Sequence, residues 1–228
     1  KTFGRSSSRG NIINCSNSLE ISGSLAGGIA AAFTKSVLIE YCYNTGKISG
    51  DGAGGICGSS NGTSGVSEDL LVIKYSYNNA LISGQGAGGI IGSYSGENTL
   101  GTLIFNCYHN GNGTENVSNQ GGIAGAAAGG SSGKILIYNC WAKGDNLEGG
   151  IIGGGGNGGE IVIKNCYYVG NSSLESGSGI TNTYKLREWD DTFAFKTIGT
   201  DTGDDDGNGT IGVDLGEIRW FNDRDVVS

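Results

Sequence analysis

The feature that most constrains this chain is a pair of short strings that recur together six times. The first runs Ile-x-(Asn/Tyr)-Cys: IINC (12–15), IEYC (39–42), IKYS (73–76), IFNC (104–107), IYNC (137–140) and IKNC (163–166), with Ser76 replacing Cys once. The second follows each of these: GGIA (27–30), GGIC (54–57), GGII (88–91), GGIA (121–124), GGII (149–152) and SGIT (178–181). Successive first strings begin 27, 34, 31, 33 and 26 residues apart. Two anchors in constant order, with insertions of variable length between them, define a unit that buries its apolar face only by stacking on its neighbours.

The unit reads as β. Runs such as VLIEYCYN, LLVIKYSYN and ILIYNCW are rich in β-branched and aromatic residues and are bounded by Gly, Asn and Ser. No 3.6-residue stripe is present, and 46 glycines count heavily against helix. Several short strands per unit of about 30 residues predict an all-β fold, a parallel β-helix (β-solenoid) of about six coils, with equivalent residues stacked at ~4.8 Å. Glycine then serves the sharp corners and permits opposing backbones to approach. Ile12, Ile39, Ile73, Ile104, Ile137 and Ile163 form one expected interior column. Ile29, Ile56, Ile90, Ile123, Ile151 and Ile180 form another.

Further columns follow from the same alignment. Cys15, Cys42, Cys107, Cys140 and Cys166 stack as small buried hydrophobes, and Cys57 lies off this column. Neighbouring Cα atoms fall within disulfide range, but in-register Cβ atoms sit farther apart than a bridge favours. Thiols are therefore expected, with a bridge between neighbours as the alternative. Next come Tyr43, Tyr77, Tyr108, Trp141 and Tyr167, with Ser16 in the first coil, and then Asn17, Asn44, Asn78, His109, Ala142 and Tyr168. These read as structural ladders. The aromatic set alternatively forms a glycan-contact strip. Inward–outward alternation breaks between the Ile and the Cys, which predicts a bend or bulge at the Asn or Tyr preceding each Cys.

Composition excludes several classes. The net charge of −8, without clustered Lys and Arg, argues against nucleic acid. No run of about 18 apolar residues is long enough for a spanning helix. The chain begins with Lys rather than Met, which reads as a processed product or a fragment.

At CYNTGKISGDGAGGICG (42–58) the chain resembles the GLUG-motif repeats of large secreted and cell-surface proteins, with Ile in place of Leu at Gly55-Ile56-Cys57-Gly58, Gly89-Ile90-Ile91-Gly92, Gly122-Ile123-Ala124-Gly125 and Gly150-Ile151-Ile152-Gly153. The resemblance spans roughly residues 11 to 182. It implies an extracellular or cell-surface β-solenoid of the kind found in adhesins, and carries over no catalytic residue and no cofactor.

Three segments are expected: an N-terminal arm (1–10), the solenoid (11–183), and a cap or assembly segment (184–228) that protects the last coil. The first coil has no such cap, so two explanations stand: head-to-tail stacking into a filament, or further coils upstream. DDDGNGTIG (204–212) places Asp204, Asp206 and Asn208 at alternate positions before Gly209, as in a calcium loop, but Leu215 stands where the closing Glu belongs. An acidic solvated turn is the alternative. Sequons at Asn61, Asn112, Asn116, Asn171 and Asn208 fall in the variable loops and are candidate glycosylation sites; the sequon at Asn14 lies in a strand. Acidic residues are scattered, and only Glu40, Lys74 and Lys164 share a column, so paired catalytic carboxylates are not expected. The reading is a non-catalytic extracellular structural or adhesive element that self-associates through its ends, with surface glycans as candidate partners. A carbohydrate-active β-helix enzyme and an ice-binding protein are the alternatives.

Overall fold

A computed structural model describes residues 10–31, 37–59, 67–95, 99–126, 134–154, 160–164, 166–170 and 183–186. Among these there is no helix. One sheet takes β1 (Gly10–Ile13), β3 (Val37–Glu40), β5 (Ser67–Lys74), β7 (Thr99–Phe105), β9 (Lys134–Tyr138) and β11 (Glu160–Lys164), in that spatial order. A second takes β2 (Ser16–Asn17), β4 (Tyr43–Asn44), β6 (Tyr77–Asn78), β8 (Tyr108–Asn110), β10 (Trp141–Lys143), β12 (Cys166–Val169) and β13 (Thr183–Leu186). Every pairing is parallel, as a solenoid requires.

The register is the one the anchors predict. Ile12 pairs with Ile39, Ile39 with Ile73, Ile73 with Ile104, Ile104 with Ile137, and Ile137 with Ile163. The inner members of this column are fully buried and Ile12 partly so. Ile56, Ile90, Ile123 and Ile151 are buried on the other side of the core, with Ile29 half-buried. Ile180 and its anchor lie outside the described residues. Two more interior columns were not anticipated. One runs Val37, Leu71, Thr102, Ile135 and Ile161. The other runs Ile21, Ile48 and Ile82, joined by single parallel bridges. Cys57 belongs to a further column, bridged to Ala30 and Ile91 and continuing to Ala124 and Ile152.

The chain turns from the first sheet into the second at the residue before Cys15, Cys42, Ser76, Cys107 and Cys140. Asn14, Tyr41, Tyr75, Asn106 and Asn139 have φ of 55°, 56°, 53°, 53° and 51°. The expected bend is thus a single left-handed residue rather than a β-bulge. Asparagine tolerates this conformation well; tyrosine does so only where packing compensates. Tyr41 and Tyr75 stack on one another, with ring centroids 5.2 Å apart.

Glycine is therefore not the corner residue at this turn, and its main work lies elsewhere. A Cβ on Gly54 would overlap the Cys57 carbonyl oxygen and lie 2.5 Å from the Gly92 nitrogen; Gly88 meets the Ile91 oxygen and the Gly125 nitrogen in the same way. The following glycines press on the next coil and on a buried side chain. A Cβ on Gly55 would meet the Gly89 carbonyl and come within 3.0 Å of Asn78, and one on Gly89 would fall 2.7 Å from His109 Nδ1. The doublet is needed because the backbone closes directly onto neighbouring backbone and onto the asparagine column.

β13 pairs with β12 through Cys166–Thr183 and Tyr167–Tyr184, so the second sheet continues across the 183/184 position at which the repeats end in sequence.

Candidate functional site

The most ordered polar feature is the asparagine column inside the second sheet. Asn17 Nδ2 donates to Asn44 Oδ1 at 2.8 Å, Asn44 Nδ2 to Asn78 Oδ1 at 2.7 Å, and Asn78 Nδ2 to His109 Nδ1 at 2.8 Å. Each asparagine also closes its own turn: Nδ2 donates to the carbonyl two residues on, and Oδ1 accepts that residue's amide. Asn44 so fills all four of its hydrogen-bonding positions while wholly buried. Polar atoms placed this way lock one coil to the next, because an unmet partner in a dry interior costs about 1–3 kcal/mol.

The column has a direction and it ends. Every Nδ2 points to the next coil, so His109 must accept on Nδ1 and carry its proton on Nε2, which is buried without a partner. Burial pushes the imidazole down to about 4. Ala142 follows in register, then Tyr168, whose hydroxyl donates to the Gly144 carbonyl at 3.0 Å.

The Cys column also hydrogen-bonds. The Cys42, Cys107 and Cys140 thiols donate across the corner to the carbonyls of Glu40, Phe105 and Tyr138 at 3.3, 3.4 and 3.1 Å. Their sulfurs face the previous coil: Cys15 N–H donates to Cys42 Sγ at 3.4 Å, and Cys107 N–H to Cys140 Sγ at 3.5 Å. Ser76 does both jobs, donating to the Lys74 carbonyl at 2.9 Å and accepting the Cys42 amide at 3.1 Å. This explains why serine alone interrupts the cysteines: both residues carry one donor and one acceptor on a short stem. Ser76→Ala should lower stability by about 1–2 kcal/mol and Ser76→Cys by less, measured by denaturant unfolding.

No cysteine is in a disulfide. Burial raises the Cys42 thiol to about 11 and holds Cys140 well above its ordinary value, whereas Cys15 is exposed. Because the thiolate is the nucleophile, maleimide should label Cys15 alone in the folded protein and all six cysteines after denaturation, as read by intact mass.

The proposed glycan-contact residues occupy one register column, Tyr43, Tyr77, Tyr108, Trp141 and Tyr167. Ring centroids are 5.2, 4.8 and 4.4 Å apart down to Trp141, with interplanar angles of 7°, 3° and 5°. A pyranose stacks on an open ring face; here the faces of Tyr77 and Tyr108 lie against other rings, and Trp141 and Tyr167 are buried. Beside this strip, Lys74 Nζ lies 2.9 Å from Glu40 Oε2 and 5.1 Å from the Tyr75 ring centroid. The Glu40 hydrogen bond and charge raise the Lys74 pKa against partial burial. Phe105 and Tyr138 continue this column between Lys74 and Lys164. Tyr75, which the sequence reading did not single out, is marked only by an aromatic in the pre-Cys slot of two successive coils.

Of the proposed glycosylation sites, Asn112 and Asn116 are exposed. Asn112 Oδ1 accepts the Asp145 amide at 3.1 Å, so it lies within the stack rather than in a variable loop. Asn116 has φ 59° and borders a shallow groove with Thr114, Asn146 and Glu148. Asn61, Asn171 and Asn208, and the calcium candidates Asp204, Asp206 and Asn208, lie outside the described residues. Among the described residues no three His, Cys, Asp or Glu side chains group as metal ligands.

The first coil presents the other feature of note. Leu19 is 75% and Ile13 44% exposed, Cys15 and Ser16 are exposed, and Asn17 is half-buried.

No family model, curated protein or solved structure matches the chain. The functional reading therefore rests on the geometry above.

Proposed function

We propose that this chain is a non-catalytic structural or adhesive element, working outside the cell as a stacked scaffold that holds its variable loops at fixed intervals and associates through its coil ends. The observation that carries this reading is the asparagine column, in which Asn44 and Asn78 spend all four of their hydrogen-bonding positions within the stack. Polar groups buried in the core are aimed at the next coil, and Asn44 keeps none for a ligand. Lys74 and Glu40 bond each other at 2.9 Å, with the ammonium over the Tyr75 and Phe105 rings. The sequence resemblance to GLUG-motif repeats points the same way. Six strands at ~4.8 Å spacing span only about 24 Å, so reach along the axis requires further coils.

Electron microscopy of the purified protein, run beside an assay for new chain ends on a panel of polysaccharides, tests the proposal. End-to-end strings or stacks without cleavage are expected. Polysaccharide cleavage that tracks with the protein through purification would overturn it.

A further inference from the structure

We infer that the outer face of the first sheet is a lateral interface between two copies of this chain, each laying the same apolar stripe against the other's. The inference goes beyond association through coil ends: the ends give length, and this face gives width.

The stripe follows from strand alternation. In β9 the buried residues Ile135 and Ile137 face the core, and half-buried Lys134, Leu136 and Tyr138 face out. Register places Leu136 in a column of Leu38, Val72, Leu103, Leu136 and Val162, all half-buried. Their inward neighbours Ile39, Ile73, Ile104 and Ile137 are at 0% exposure. None of the five belongs to the buried core or to the residues packed against it. Phe105 and Tyr138, half-buried in the next outward column, widen the apolar band. A sheet face that meets water carries polar residues at its outward positions; here those positions hold leucine and valine.

Pitch and charge select a second copy as the occupant. Each outward column repeats at the coil spacing of ~4.8 Å, and another copy brings ridges of the same spacing to interdigitate with, as in face-to-face sheet packing. The chain carries a net charge of −8, so copies repel unless they meet where charge is balanced. The stripe is flanked on one side by Glu40 and Lys74, 2.9 Å apart, and on the other by Glu160 and Lys134, 2.6 Å apart. Exposed Asp51, Glu115, Asp145 and Glu148 stand instead on the turns that follow strands of the second sheet. The strands that carry the stripe, each about 17 Å long at ~4.8 Å spacing, present about 400 Å², half the standard ~800 Å² per partner. A single pair is therefore weak and reversible, and end-to-end stacking multiplies it.

Sedimentation and methyl NMR of the full chain, over a concentration series up to about 1 mM, test the inference. A reversible monomer–dimer equilibrium is expected, with methyl signals of Leu38, Leu103 and Leu136 moving with concentration and those of Ile73 and Ile137 still. Leu103→Glu, with dichroism confirming the fold, should weaken association at least about tenfold, because each copy would press a carboxylate into the apolar contact. Equal association of the two proteins would overturn the inference. So would stripe methyl signals that stay fixed in the unsubstituted chain, a result that needs no variant to fold. End-to-end strings of single width would overturn it and leave coil-end association standing; paired chains that never form strings would support it and refute coil-end association.

Discussion

Gly88→Ala is expected to abolish cooperative folding. The added methyl would overlap the carbonyl oxygen of Ile91 and sit 2.5 Å from the amide nitrogen of Gly125 in the adjoining coil. Both obstacles are backbone, and the Ile91 amide is itself bonded to the Ile123 carbonyl at 3.0 Å. Relief therefore means parting two coils and breaking their hydrogen bonds. A loss of more than about 4 kcal/mol follows, against a total stability of about 5–15 kcal/mol for an ordinary domain. Gly10→Ala is the control: its methyl would make an ordinary 3.6 Å contact with Val37 Cγ2. Far-ultraviolet dichroism during urea unfolding should show a cooperative transition for Gly10→Ala and none for Gly88→Ala. Equal midpoints would refute the close-approach account of the glycine doublets.

Acidification should weaken the fold through His109, and His109→Asn should remove that sensitivity. The imidazole is wholly buried, and burial holds it at about 4 against an ordinary 6.5. The unfolded chain thus takes up a proton that the folded chain refuses, so stability falls as pH drops from about 6.5 and levels off below about 4. A difference of roughly 2.5 units corresponds to about 3 kcal/mol. Geometry agrees in sign: protonated Nδ1 would become a donor facing the Asn78 amide donor that now bonds it. Asparagine at 109 would extend the column and does not titrate. Comparing urea midpoints of the two proteins from pH 7 to 4 isolates this contribution from that of the carboxylates. Parallel curves would show that His109 carries none of the acid sensitivity.

Why some of this was legible in the sequence and some was not has a physical explanation. Like-on-like stacking makes the alignment of repeats the register itself, so Ile39, Ile73, Ile104 and Ile137 could be placed on one column from their letters alone. The break in alternation before each cysteine was readable too, because one residue of left-handed backbone changes which side the chain presents. What lets tyrosine adopt this backbone at 41 and 75 was not, since the compensation comes from ring stacking between coils. The column of Ile21, Ile48 and Ile82 was hidden by the glycines and polar residues around it, which leave no periodic pattern. The cysteines read as small hydrophobes; their second task, bonding across the corner, shows only once the carbonyls of Glu40, Phe105 and Tyr138 are placed. The asparagine column was placed correctly, but its direction depends on amide orientation, which no letter encodes.

Register is the central claim, and couplings transmitted through backbone hydrogen bonds measure it directly by NMR. The account predicts cross-bond couplings from the amide nitrogens of Tyr77, Tyr108, Trp141 and Tyr167 to the carbonyl carbons of Cys42, Ser76, Cys107 and Cys140. Couplings displaced by one residue, or joining these amides to carbonyls of their own coil, would contradict it.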